Sequence, residues 1–228
     1  MSQFVKAFHV LAVGLWFGMA VFFSFPVALS LFDTFERLTE AGQKPPWFPP
    51  SLLYKSDPTT WTPPPDGIDK PIFQTARDVE KEQGSRAAGA AVSPMFSWYF
   101  GLQLGCAVVA LLTALRFLSA EPAAKVHKAR LIVLILANLL MLVGLGLERK
   151  VSDLRGPRND LTDKLLQAAP DIPAELYREA VEARQAFGIW HGISTLLNLA
   201  TIILVTIAMA LAARLPSTAR SPSPQPGS

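Results

Sequence analysis

Apolar residues are concentrated in four segments of this chain, at about 5–32, 95–118, 129–148 and 187–213. Each segment is close to or above the ~20 residues that an α-helix needs to cross the ~30 Å hydrocarbon core of a bilayer. Because lipid offers the backbone no hydrogen-bond partner, a spanning segment of this kind must be helical. The pattern therefore predicts an all-α protein, a four-transmembrane-helix bundle formed by residues 1–215.

The stretches between these segments differ in composition. Residues 40–71 carry many prolines, which forbid a continuous helix, so we expect a Pro-rich first loop whose aromatic residues lie at the membrane interface. Residues 72–91 have the pattern of a polar helix, and Pro94 then suits the first turn of the next span. Residues 151–172 indicate a charged connection, and 216–228 a disordered Ser/Pro tail.

The fourth helix is predicted to be unusually long. Asp171 and Pro173 supply a cap and a first-turn proline, and no helix breaker follows before Pro216. At this length the helix extends roughly 60 Å, about twice the bilayer core. Its first third is therefore expected to project from the membrane.

Composition supports a membrane protein. Half of the 228 residues are hydrophobic, the mean hydropathy is +0.31, and only 17% of residues are charged, compared with about a quarter in soluble domains. The net charge of +3 is small, and no basic stripe is interleaved with aromatics, which argues against nucleic acid as a partner. A single cysteine, Cys106, excludes an intramolecular disulfide.

The charges also predict an orientation. Four spans place both termini and the loop 119–130 on one side, where Lys and Arg strongly outnumber Asp and Glu. The positive-inside rule then puts both termini in the cytoplasm. We expect an integral, multi-pass membrane protein whose partners are the lipid bilayer and further subunits of a homo- or hetero-oligomer.

The richest polar chemistry lies at the start of the fourth span. Arg184, His191, Thr195 and Asn198 fall on one helical face, with Ser194 beside them. Polar groups inside a bilayer need partners from the protein and often mark a functional site. Helix depth predicts a midplane layer of Gln103, Asn138 and Asn198, and places His191 level with Glu148 and Arg149. The resulting polar cluster, either ligand-binding or purely structural, comprises His191, Ser194, Asn198, Glu148, Arg149, Arg184, Gln103 and Asn138.

The other two histidines are predicted to lie elsewhere. His9 enters from the side of the N-terminus, so its neighbour by depth is His127 and not His191. The two levels are ~20 Å or more apart by helix rise, so His9 and His191 cannot share one metal ion. We expect His9 and His127 to be interfacial or solvated.

The spacing of residues in the fourth span resembles that of a known family. The residues concerned are Arg184-Gln185, Phe187, Trp190-His191-Gly192, Ser194 and Asn198-Leu199. They are similar to the fourth segment of the transmembrane protein 205-like family, a multi-pass membrane domain of unknown function. Weaker similarities are found in the other three spans, at His9–Met19, Pro94–Phe100 and Leu147-Glu148-Arg149. The proline that this family has within the last motif is missing here, and residues 40–71 depart from its compact first loop.

This resemblance implies a protein without an established biochemical activity. Some members of that family are linked to resistance to metal drugs, which suggests export or trafficking. The first span also looks like those of copper-resistance D-type proteins and of haem-containing, protoporphyrinogen-oxidase-like four-helix proteins.

Two functions from different classes follow. The first is a non-enzymatic protein whose polar site serves the transport of a small molecule or ion, or supports trafficking. Because the chain has four spans and no inverted repeat, a transport pathway would require an oligomer. The alternative is a haem- or copper-binding redox protein that uses His9 with His127, or His191 with another ligand. The sequence calls for no cofactor, although haem and copper remain compatible with it. A hydrolase built on His191 and Ser194 is disfavoured, because residues three apart on a helix point nearly parallel.

Overall fold

The computed structural model describes residues 3–40, 72–168 and 171–214, and within these ranges the chain is helical apart from short connections and helix ends. The helices are α1 (Gln3–Phe22), α2 (Ala28–Thr39), α3 (Ala76–Ala120), α4 (Lys125–Ala168) and α5 (Ala174–Ala213), with a π-helical turn at Phe23–Val27 that joins α1 to α2. The all-α prediction is confirmed, and four helices, counting α1 and α2 as one, are long and apolar enough to cross a membrane. The Pro-rich segment, beyond Glu40, and the C-terminal tail lie outside the described residues.

Within the apolar segments, the helices meet through small side chains. The shared core contains Ala107, Ala110 and Ala114 of α3, Ala137 of α4 and Ala208 of α5, packed around Trp16 of α1. Large apolar side chains such as Leu112 and Leu196 are instead exposed on the outer surface. This arrangement is typical of membrane helices, where small residues allow close approach and lipid covers the large ones.

The first span changes its packing at the π-helical turn. α1 packs against α3 and α5, whereas α2 packs against α3 and has at most isolated contacts with α5. Pro26 lies inside the turn, and because proline lacks an N–H and crowds the preceding turn, it disturbs the regular α-helical ladder. The long helices therefore pack in a ring, in the order α1, α3, α4 and α5. At one end of the bundle α1 closes this ring, and at the other end the ring is open between α2 and α5.

α3 corrects the sequence prediction of two helices around residue 94. It is a single helix of 45 residues with Pro94 in its interior, not in a first turn. Its start is fixed by a capping box in which Asp78 accepts hydrogen bonds from the backbone N–H groups of Gln74 and Thr75, both at 2.9 Å. These bonds lower the pKa of the Asp78 carboxyl, the one from Gln74 most strongly.

α4 corrects a second prediction, because residues 151–168 continue the helix instead of forming a charged connection. The helix has 44 residues and contains Pro157. The predicted length of the fourth long helix is confirmed, since α5 has 40 residues. At 1.5 Å per residue, all three helices reach roughly 60–70 Å, well beyond the bilayer core.

The polar ends of these helices form a bundle of their own, which we call the helical extension (residues 72–94, 149–168 and 171–186). It has a separate small hydrophobic core. The members of that core are Phe73, Val79, Leu165, Leu166 and Ala180. Residues that the sequence assigned to loops thus belong to a packed structure.

Close helix approach occurs at Gly84, and not at the glycine pairs spaced four residues apart in the apolar spans. An added Cβ at Gly14, Gly18, Gly101 or Gly105 would meet no atom within 4 Å in the described part of the chain. At Gly84, the same Cβ would lie 2.7 Å from the Cα atom of Glu36. Gly84 is therefore what lets the backbones of α2 and α3 come into contact.

Candidate functional site

A cavity of about 490 Å³ lies where the ring of helices opens. It extends from the apolar part of the bundle into the helical extension, and every element except α1 contributes to its wall. Its polar and charged wall residues are Ser24, Ser85, Arg86, Tyr99, Gln103, Glu148, Arg155, Arg158, Asn159, His191, Ser194, Thr195, Asn198 and Thr201. Its apolar wall includes Phe23, Leu29, Phe32, Val92, Phe96, Phe100, Leu140, Met141 and Phe187.

Asn198 is the centre of a hydrogen-bond network that joins three elements. The Tyr99 hydroxyl of α3 donates to Asn198 Oδ1 at 2.8 Å. Asn198 Nδ2 donates to Ser24 Oγ of the π-helical turn at 2.6 Å. Ser24 lies in the π-helical turn between α1 and α2. The network therefore attaches the first span to α5 at this turn, just before α2 separates from α5.

Gln103 takes part in a neighbouring contact. The indole Nε1–H of Trp16 donates to Gln103 Oε1 at 2.9 Å, and both side chains are almost fully buried. In an apolar surrounding an unpaired indole or amide would be costly. This bond therefore stabilises the packing of α1 against α3, and it places Gln103 at the inner wall of the cavity.

His191, Ser194 and Glu148 face the same cavity from α5 and α4. The His191 ring is nearly parallel to the ring of Phe187, with centroids 5.6 Å apart. The positive charges of Arg155 and Arg158 act on His191 from α4. His191 and Glu148 thus line the same cavity, and the charged groups that act on His191 are arginines that the sequence did not single out.

A cluster of ions covers the end of the cavity in the helical extension. The carboxylate of Glu82 in α3 contacts Arg158 of α4 at 2.5 Å, Arg184 of α5 at 3.1 Å and Arg86 at 3.3 Å. Arg86 also contacts Asp163 at 2.7 Å. The Glu82 side chain is only 7% exposed, so one buried carboxylate joins cations from three helices.

Arg155 is bound less tightly than its neighbours. Its Nη1 donates to the neutral Ser93 hydroxyl at 2.9 Å. Its Nη2 lies 3.9 Å from Glu148, which is beyond hydrogen-bond distance. The guanidinium group of Arg155 lines the cavity with capacity for a further acceptor.

Three residues of the predicted cluster do not line this cavity. Asn138 donates to the Leu134 carbonyl of its own helix at 2.8 Å, so the predicted layer of Gln103, Asn138 and Asn198 does not form. Arg149 is exposed on the surface. Arg184 lies behind the wall, where it binds Glu82.

His9 and His127 are not solvated as the sequence suggested, because their exposures are 0% and 2%. The expectation that they lie near each other is confirmed, since both contact the ring of Phe117. His9 Nδ1 is 2.8 Å from Thr113 Oγ1. The fully buried Arg130 donates to the Leu211 carbonyl at 2.6 Å, where the C-terminal end of α5 favours a cation.

No group of three His, Cys, Asp or Glu side chains is placed to hold a metal ion in the described ranges. The single cysteine, Cys106, is buried in the bundle as a free thiol.

Sequence reasoning missed several residues of the cavity. Tyr99 is 6% exposed and lines the cavity, whereas its neighbour Trp98 is 77% exposed. The sequence placed Arg86 in a polar helix, and Arg155 and Arg158 in a charged connection. The sequence carried a signal for two of these arginines, because Arg155 and Arg158 follow Glu148 at spacings of seven and ten, which puts all three on one helical face. That reading depends on α4 continuing through Pro157.

Comparison with known proteins identifies one related region. Residues 77–159 match the model of a family described as a domain of unknown function, DUF4149. The match covers most of α3, the first part of α4 and the connection between them. No curated protein and no solved structure matches the chain. The protein is a multi-pass membrane protein by its four apolar helices, and its similarity to the transmembrane protein 205-like family stays a prediction.

Proposed function

We propose that this protein is a non-enzymatic membrane protein that binds a small molecule or ion in the cavity between α2, α3, α4 and α5, and that it serves the transport or trafficking of that ligand. The observation that carries the proposal is the cavity itself. About 490 Å³ is within the usual range of small-molecule sites. Its wall combines aromatic side chains with a few convergent polar groups, as such sites do.

The composition of the wall supports a binding role over simple helix adhesion. Polar residues that only join helices are satisfied by each other and leave no space between them. Here His191, Ser194 and Glu148 face an open volume. Polar side chains inside an apolar span are costly to keep, so their position around a cavity favours function.

Two features favour binding over catalysis. No hydrogen bond links His191 to Ser194 within the described residues, and a nucleophile of this kind needs a base within hydrogen-bond distance. His191 is stacked on Phe187, which orients the ring as part of the wall.

Transport across the whole membrane would in addition require an oligomer, since four spans without an inverted repeat do not enclose a pathway. The expected partners are thus the lipid bilayer and further copies or subunits.

Native mass spectrometry of the purified protein, released from lipid nanodiscs, tests the proposal. We expect a retained ligand on the wild-type chain and its loss from His191→Ala and Asn198→Ala. Thr206→Ala is a matched control, because Thr206 is on the same helix, outside the cavity wall, and its hydroxyl donates to the Ile202 carbonyl of that helix. It should retain the ligand.

Circular dichroism and size-exclusion chromatography report the fold of each variant. Loss of ligand from a folded His191→Ala variant supports the site. Variants that fold and retain every bound species of the wild type would refute it. A purified protein with a visible haem or copper spectrum would instead establish the redox alternative.

A further inference from the structure

We infer that the ligand is an anionic amphiphile with one apolar chain, its phosphate or carboxylate head bound by Arg155 and Arg158 and its chain lying along the aromatic wall. This inference rests on the proposed function and gives the chemical class of its ligand. It follows from the contrast between the two ends of the cavity. Guanidinium groups line one end, and Phe23, Phe96 and Phe100 line the other.

The arginines at the head end differ in how closely they are paired. Among the ion pairs of the described residues, Arg86, Arg155, Arg158 and Arg184 share the carboxylates Glu82, Glu148 and Asp163. The pair of Arg155 with Glu148 is the longest of these, at 3.9 Å. A buried or half-buried cation without a counter-ion is unfavourable, so a single anionic group would stabilise the cluster.

Arg155 is the cation with the weakest ion pair. Glu82 contacts Arg158 and Arg184 directly, and Arg86 contacts both Glu82 and Asp163. Within the described residues, Arg155 donates to the neutral Ser93 hydroxyl, and its charged partner is Glu148, 3.9 Å away. The planar guanidinium group of Arg155 can still donate two hydrogen bonds to one ligand group. Phosphate and carboxylate oxygens match this bidentate geometry.

The wall is long enough for a chain. On α3 the lining residues run from Ser85 to Gln103, a rise of about 27 Å at 1.5 Å per residue. One leaflet of a bilayer core is about 15 Å thick, so a head and one extended chain fit this length. The volume of about 490 Å³ is that of a site for one drug-sized molecule, which favours a ligand with a single chain.

The opening gives such a molecule a route from the bilayer. α2 leaves α5 after the Ser24–Asn198 hydrogen bond, and Leu29 of α2 is 67% exposed while it lines the cavity. A ligand with an apolar chain reaches this opening by diffusion within the membrane, without crossing water. The charged end of the cavity lies beyond this opening, in the helical extension.

Binding of defined probes to the full chain in detergent tests the inference. The probes are a monoacyl glycerol phosphate, the fatty acid of the same chain, the neutral monoacyl glycerol, and glycerol phosphate without a chain. We expect the two anionic amphiphiles to bind at least tenfold more tightly than the neutral one, and the chainless head to bind weakly. The relative strength of the phosphate and the fatty acid distinguishes the two sources of the anionic head.

Two variants of Arg155 refine the test. Arg155→Gln should lose the preference for the anionic probes, and Arg155→Lys should keep most of it because the charge remains. Arg149→Gln is a matched control, since Arg149 is on the same helix but exposed and outside the cavity wall. It should bind like the wild type.

The outcomes separate this inference from the proposed function. Equal binding of neutral and anionic amphiphiles, with loss of both in His191→Ala, would overturn the inference and retain the cavity as a site. Binding of no probe to a folded protein would count against the inference, and the retained ligand seen by mass spectrometry would then decide the proposed function separately. An unchanged anion preference in folded Arg155→Gln would also overturn it.

Discussion

The polar residues inside the apolar helices differ in what they bind, and this difference decides their role. Asn198 bridges α3 and the π-helical turn, whereas Asn138 binds a carbonyl of its own helix. Helical periodicity predicts the face and the depth of a side chain. It does not predict the partner, because that depends on how the helices are rotated against each other. For this reason Asn198 and His191 were recognisable from sequence, while the contribution of Ser24 and Tyr99 was not.

Tyr99→Phe tests the network at this scale. The substitution removes the hydroxyl that donates to Asn198 and keeps the ring, which is stacked on Phe23 at 4.3 Å between centroids. We expect the unfolding free energy to fall by about 1 kcal/mol, the usual value of a hydrogen bond between membrane helices. Denaturation by SDS in mixed micelles measures it.

Asn138→Ala is the control for this measurement, since its amide joins no second helix. Its effect should be clearly smaller than that of Tyr99→Phe. The reverse order would show that the Tyr99–Asn198 bond contributes little to the bundle.

The helices are longer than the sequence indicated, because two prolines do not end them. Pro94 and Pro157 lie inside α3 and α4, although a proline in a helix interior costs about 3 kcal/mol. Contacts between distant parts of the chain offset that cost, such as the ion pair between Arg86 and Asp163 at 2.7 Å. A local pattern cannot show such pairs. The apolar spans and the polar parts of α3 and α5 were therefore predictable, whereas the continuation of α4 and the packing of the helical extension were not.

Gly84→Ala tests the packing of α2 against α3. The new methyl group would lie 2.7 Å from the Cα atom of Glu36 and 2.8 Å from the Phe35 carbonyl oxygen, and both are backbone atoms. Because backbone cannot turn aside as a flexible side chain can, we expect a loss of about 1–3 kcal/mol. Thermal unfolding monitored by circular dichroism measures it.

Gly101→Ala provides the comparison on the same helix, since its new methyl group would meet no atom within 4 Å in the described structure. It should be neutral or slightly stabilising, because alanine favours a helix over glycine. Equal destabilisation by both substitutions would contradict the role assigned to Gly84.

The whole molecule combines an apolar bundle with a polar bundle, and the cavity lies across their junction. Glu82 links the three long helices in the polar part, and Asn198 links α3, α5 and the first span in the apolar part. Composition and hydropathy were sufficient to predict the class of fold. The cavity depends on where α2 departs from α5, which results from the π-helical turn and from packing, and no single stretch of sequence contains that information.

Glu82→Gln tests the ion cluster that holds the helical extension together. Removing a buried partner leaves cations of three helices without their common anion, so we expect a loss of about 3 kcal/mol or more. Glu175→Gln is the matched control, because its pair with Arg178 is exposed, at 78% and 68%. Exposed pairs contribute about 0–1 kcal/mol, so this variant should unfold like the wild type. A small effect of Glu82→Gln would show that the extension is held mainly by its hydrophobic core.

The central claim is that an amphiphile occupies the cavity between α2 and α5. Photocrosslinking in lipid nanodiscs tests it most directly, with a monoacyl phosphate that carries a photoreactive group at the end of its chain, followed by mass spectrometry of the labelled peptides. We predict label on wall residues such as Phe100 and Leu140, displaced by unlabelled anionic amphiphile and absent from folded Arg155→Gln. Label confined to lipid-facing residues such as Leu112 and Leu196, and unaffected by competitor, would contradict the claim.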